Sequence, residues 1–80
     1  MLPVQCRMAR TALGLKIAEL AELSKMSTNT IVRFETGKVL KQSTVDELRV
    51  VLEDAGIIFI SENGDGGPGV RLKKPALRNE

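Results

Sequence analysis

Apolar residues recur along this chain of 80 residues at two different spacings. Over roughly the first 55 positions they return every three or four residues, the period of an α-helix with one buried face. Leu2, Cys6, Ala9 and Leu13 make one stripe. Ile17, Leu20 and Ala21 make a second, Ile31 and Phe34 a third, and Val45, Leu48, Leu52 and Ala55 a fourth that Val51 widens. After Gly56 the period changes. Ile57-Ile58-Phe59-Ile60-Ser61 is a β-branched and aromatic run, and Val70-Arg71-Leu72-Lys73 alternates apolar with basic; both are strand signals.

Boundary residues sharpen these elements. The first helix is expected over about Val4 to Leu13, with Pro3 suited to its first turn and Gly14 to its stop. A second is expected over Ile17 to Ser24. A third opens at Ser27, a good N-cap, and ends at Gly37. The fourth is expected to open at Ser43 or Thr44, where Thr44-Val45-Asp46-Glu47 fits a capping box, and to close at Gly56. Asn63-Gly64-Asp65-Gly66-Gly67-Pro68-Gly69 is dense turn chemistry, so the two strands read as a hairpin. The expected organisation is residues 1–56 helical, 57–73 a β-hairpin, and 74–80 a frayed tail.

The second and third helices are short, amphipathic and separated by only about three residues. That is the layout of a helix-turn-helix, which lays its second helix in the DNA major groove. Ala21 is small enough to let the two helices approach closely. Phe34 and Met26 sit at core spacing. The hairpin raises a separate question, because two strands alone are marginal in water and Ile57 to Ile60 is too apolar to stay wet. It must pack on the helices, on a second copy, or both. Pairing across a two-fold axis into a shared sheet of about four strands is the expectation, with Ile57, Ile58, Phe59, Ile60, Val70 and Leu72 at the dimer contact.

Charge is small overall but unevenly placed. Residues 1–41 carry seven basic side chains against three acidic, residues 42–66 one basic against six acidic, and residues 67–80 four basic against one acidic. A basic face over the helix-turn-helix and an acidic face elsewhere suit a binder of phosphates. A chain this short buries only about 60% of its unfolded surface, so oligomerisation is a natural support. Cys6 is the single cysteine, which excludes a disulfide within the chain, and reads as a reduced, half-buried apolar residue. No apolar run approaches the ~20 residues of a membrane span. Met1-Leu2-Pro3-Val4 lacks the plan of a signal peptide, which makes the cytoplasm the expected compartment.

Enzymatic chemistry finds little material. The chain has no histidine, one cysteine without a base, and no cluster with zinc spacing. The glycines of 64–69 are not followed by the Gly-Lys-Ser/Thr of a phosphate loop. Two phenylalanines are the only aromatics, too few for a single-strand stacking platform. Neither an activity nor a cofactor is expected.

The chain resembles the lambda-repressor-like, or Xre/Cro, helix-turn-helix family in Leu13-Gly14-Leu15, Leu20-Ala21, Ser27, Ile31, Glu35 and Gly37. The resemblance needs no gap and covers about residues 5–55. The segment Gly56-Ile57 through Gly67-Pro68-Gly69-Val70-Arg71-Leu72 looks like the end of short bacterial members. The implied fold is mainly α, a four-helix DNA-binding domain with a C-terminal β-hairpin.

By that resemblance Thr28, Asn29 and Arg33 are expected to read base edges. The chemistry agrees, since Arg pairs bidentately with guanine, Asn with adenine, and a Thr methyl meets thymine. Lys38 and Lys41, in the loop after the third helix, are expected on phosphates, as is Thr30. Arg10 and Glu35 match a structural pair linking the first and third helices. The chain departs from the family where Gln commonly contacts phosphate, for it has Ile17 there, leaving Lys16 or backbone amides to substitute. Lys16 also stands where Ser or Thr usually caps, and Lys25 where the turn usually has Gly. The implied function is a dimeric regulator of transcription on double-stranded DNA. Small size makes repression by occlusion the expected output. The alternative is an antitoxin or interaction module whose hairpin holds a partner protein such as a toxin.

Overall fold

A computed structural model describes residues 1–74, so residues 75–80 of the expected tail lie outside the described residues. Four helices, α1 (Pro3–Ala12), α2 (Ile17–Ser24), α3 (Thr28–Glu35) and α4 (Gln42–Asp54), are followed by β1 (Ile57–Ile60) and β2 (Gly69–Leu72). The order and the mainly helical class are those expected from the sequence.

The helix ends show why the chain folds this way. Gly14 takes φ +69° after α1, and Leu15 N–H donates to Arg10 O at 2.9 Å, closing the helix with a glycine turn. Ser27 Oγ accepts from Thr30 N–H at 3.1 Å and caps α3. Gly37 at φ +91° ends it, with Lys38 N–H bonded to Arg33 O. Between α2 and α3 the left-handed position belongs to Lys25, at φ 58° and ψ 34°, a geometry that costs a side chain about 1 kcal/mol.

Four expectations are corrected. Leu2 does not join the α1 stripe; it is the residue before the helix and is exposed. Gln5 is buried in its place, and its Oε1 accepts from Leu2 N–H at 2.8 Å. α4 begins at Gln42 rather than at Ser43 or Thr44, because Lys41 O already accepts from Thr44 and Val45 N–H. Thr44 therefore lies inside the helix and forms no capping box; Gln42 instead donates to Asp46 at 2.8 Å. Ala55, expected in the α4 stripe, caps that helix and is exposed. The strands are also shorter than expected, with Ser61 and Lys73 outside them.

One core serves helices and hairpin alike. Cys6, Ala9, Leu20, Ala21, Ile31, Phe34, Val45, Leu48, Leu52 and Ile57 are buried together. Cys6 is fully buried rather than half-buried. Each large aliphatic side chain here contributes about 1.5–3 kcal/mol by leaving water. Met26 packs on the rim.

The strands pair antiparallel with Ile57 opposite Leu72 and Ile60 opposite Gly69. The loop closes at Asn63 and Gly66, where Asn63 Oδ1 accepts from Asp65 and Gly66 N–H. Alternation turns Ile57, Phe59, Val70 and Leu72 toward the helices. Ile58, Ile60 and Arg71 take the opposite face. One polar side chain ties the hairpin down: Gln5 Nε2 donates to Ile60 O at 3.0 Å and to Gly69 O at 3.1 Å.

Candidate nucleic-acid interface

Helix α3 is pinned from below. Ile31 and Phe34 are buried on its inner side, and α2, with Ala21 buried, packs against it. What remains on the outer side is Thr28, Asn29, Val32, Arg33 and Thr36, all exposed. The three residues expected to read bases thus share one solvent-facing strip of a single helix. Thr30 is half-buried at its flank, its hydroxyl 2.8 Å from Ser27 Oγ. Thr36 donates its hydroxyl back to Val32 O at 2.8 Å.

Cations surround this strip. Lys16 stands at the start of α2, Lys25 in the turn, and Lys38 and Lys41 in the segment between α3 and α4. All are exposed, and among the described residues none forms an ion pair. The first turn of α2 does not use the Lys16 side chain as a cap. Lys16 N–H donates to Glu19 Oε1 at 2.9 Å, so the ammonium stays available.

A partly buried ion pair holds the assembly from behind. Arg10 Nε donates to Glu35 Oε2 and Nη2 to Oε1, each at 2.9 Å, while Nη1 donates to Leu15 O at 3.2 Å. One guanidinium thereby links α1, the turn before α2, and the last residue of α3. The bond to Glu35 raises the Arg10 pKa. Cys6 Sγ lies 3.5 Å from Glu35 Oε2. Burial first, and then the Glu35 carboxylate, push the Cys6 thiol up to about 12. Such a thiol is inert at neutral pH, the opposite of an activated nucleophile.

Sequence reasoning missed two neighbours of this surface, Val39 and Arg7, and the hairpin contact Gln5. Val39 is 91% exposed between Lys38 and Lys41; it belongs to no stripe, and that was the available signal. Arg7 shares a shallow cleft with Arg10, Ile17, Val32 and Thr36, between α1 and α3. Its spacing of three from Arg10 places both on one flank of α1. Gln5 gave no signal, since a polar residue in an amphipathic helix reads as surface.

The six residues expected at a dimer contact divide. Ile57 is 1% exposed within the single chain, and Phe59, Val70 and Leu72 pack against the same core. Ile58 and Ile60 face away from it.

This geometry is that of a helix presented for groove entry, and comparison with known families decides its kind. The model of the Xre/lambda-repressor-like helix-turn-helix matches residues 7–53. The chain belongs to this helix-turn-helix family. It is accordingly a DNA-binding regulator of the helix-turn-helix type. The match runs from α1 nearly to the end of α4 and leaves the hairpin outside. No curated protein matches the chain. Among the described residues no helix is long and apolar enough to cross a membrane.

Proposed function

We propose that the protein is a cytoplasmic transcriptional repressor that binds a palindromic operator as a homodimer. Two copies set their α3 helices in successive major grooves, about 34 Å apart. Thr28, Asn29 and Arg33 read base edges. Lys16, Lys38 and Lys41 hold phosphates and supply most of the affinity. Thr30 joins them, since the Ser27–Thr30 hydroxyl pair has one proton left to donate outward. Bound protein blocks access to the DNA, and the reading assigns no catalytic step and no cofactor.

The observation that carries this reading is the α3 surface itself. Its exposed face carries the polar side chains of Thr28, Asn29 and Arg33 beside Val32, it is ringed by lysines that form no ion pair among the described residues, and its inner face and last residue are fixed by the core and by Arg10. A second reading, an antitoxin or interaction module whose hairpin holds a partner protein such as a toxin, rests on the open edges of the two strands.

Selection of binding sites from random duplex DNA, with the mass in solution measured by light scattering, tests the proposal. An enriched inverted repeat together with a dimeric mass is the expected result. Weak, salt-sensitive binding without enrichment would overturn it and favour the interaction module.

A further inference from the structure

The hairpin leaves two strand edges open, and they are not equivalent. Lys73 N–H donates to Gly56 O at 2.8 Å. With Ile57 opposite Leu72, this bond fixes which backbone groups face inward. Residues 58 with 71 and 60 with 69 exchange the ladder bonds. The N–H and C=O groups of Ile57 and Phe59 point off the free edge of β1, and those of Val70 and Leu72 off the free edge of β2. Among the described residues none of these groups has another backbone partner.

The ground beside each edge differs. Next to β1, Arg49 lies 5.0 Å from the Phe59 ring centroid and pairs with Glu53, so that flank is charged and already partnered. Next to β2 runs a shallow groove on α1 lined by Val4, Met8, Ala12 and Val70, with Arg7 and Thr11 along its side. Val4 and Met8 are 46% and 39% exposed. An open strand edge beside a groove floored by apolar side chains and flanked by one cation, unpaired among the described residues, is a docking surface for another strand.

We infer that a second copy of this chain occupies it, β2 pairing antiparallel with β2 around a two-fold axis at Arg71. The inference rests on the dimeric reading above and specifies its interface. This register lets Val70 and Leu72 of one copy exchange backbone bonds with Leu72 and Val70 of the other. A two-fold axis normal to the sheet keeps the faces matched. The Val70 and Leu72 side chains of each copy therefore lie on the helix side, over Val4 and Met8 of the other. Charge at the strand ends favours a copy of the same chain, against the like-charge Arg71 pair that meets on the axis in open solvent. Antiparallel self-pairing carries the basic end of one β2, Lys73 and Lys74, toward the acidic hairpin tip of its partner, Glu62 and Asp65. None of these four forms an ion pair within the described part of one chain. Arg71 faces its own copy on the solvent side.

The axis gives a direct test in the full-length protein. Arg71→Cys is expected to form an intermolecular disulfide under mild oxidation, because residues facing each other in a non-hydrogen-bonded pair bring their Cβ atoms within disulfide reach. The buried Cys6 stays silent. Ile60→Cys, on the same outer face but away from the axis, should not cross-link. Met8→Glu, a change on an exposed helix surface, should raise the dimer dissociation constant at least tenfold with the helical circular dichroism unchanged. A wild-type dimer that survives Met8→Glu and gives no Arg71→Cys cross-link would overturn this interface and leave the dimeric reading standing. A monomeric wild-type protein would overturn both and hand the open edge to a strand of a different protein.

Discussion

Arg10 and Glu35 face each other as a two-pronged pair, both contacts 2.9 Å long, with the carboxylate side chain only 5% exposed. A buried carboxylate keeps its charge only while it is paired. Arg10→Met should therefore cost about 3–5 kcal/mol, since it strands Glu35 in the core. Arg10→Met combined with Glu35→Leu should recover a large part of that loss. Urea denaturation of the two single variants and the double variant measures the coupling; strictly additive losses would show that the pair does not act as a unit.

Cys6 gives a pH signature. Its ordinary pKa is 9.0, and in the folded chain it is pushed up to about 12, chiefly by burial. A raised pKa means that the folded protein keeps a proton which the unfolded chain has lost. The stabilising contribution is full below pH 9 and drains away as pH rises from 9 toward 12. Stability should fall by up to about 1.4 kcal/mol per pH unit across that window relative to Cys6→Ala. Lysine ionisation is common to both proteins and cancels in the comparison. Parallel stability curves would refute the assignment.

Gln5 is the hydrogen-bonded latch between α1 and the hairpin. Gln5→Leu leaves the carbonyls of Ile60 and Gly69 without its amide and should destabilise by about 1–3 kcal/mol. Hydrogen exchange is the informative readout: the amides of β1 and β2 should lose protection while those of α2 and α3 keep theirs.

Arg33→Ala should relax specificity at one base position and weaken the selected site by about 1–3 kcal/mol. Binding to a panel of single-base variants of that site checks this. Equal weakening on every sequence would remove Arg33 from base reading.

Lys38→Ala should instead weaken all sequences alike and lower the slope of log K against log salt by about one unit. Titrations at several salt concentrations give the slope directly, and an unchanged slope would take Lys38 off the phosphate backbone.

The bounds of α2 could be read from its apolar spacing and short connections, and those of α3 nearly so, because Ser27 and Gly37 each answer a specific backbone need, as Gly14 does after α1. The start of α4 could not, for Lys41 offers a backbone carbonyl and no side-chain cap, while Thr44 imitates one. The hairpin's inner face was hidden for a different reason. All four residues from Ile57 to Ile60 are apolar, so alternation has nothing to show; only packing separates Ile57, buried, from Ile60, 39% exposed. The outward strip of Thr28, Asn29 and Arg33 was legible because Ile31 and Phe34 fix the opposite side. Gln5 was not, since its partners are backbone carbonyls some 55 and 64 residues away along the chain.

Lys25 in its left-handed turn makes two properties of the molecule separately measurable. Lys25→Gly would relax the backbone and delete a charge, whereas Lys25→Gln would delete the charge and leave the backbone strained. Comparing the two separates rigidity at the joint between α2 and α3 from electrostatic attraction at the same point. The difference between the two variants in stability reports the backbone strain alone, since both lack the charge. The joint of the motif is thus a place where charge can be removed with the backbone left as it is, while relief of the backbone always takes the charge with it.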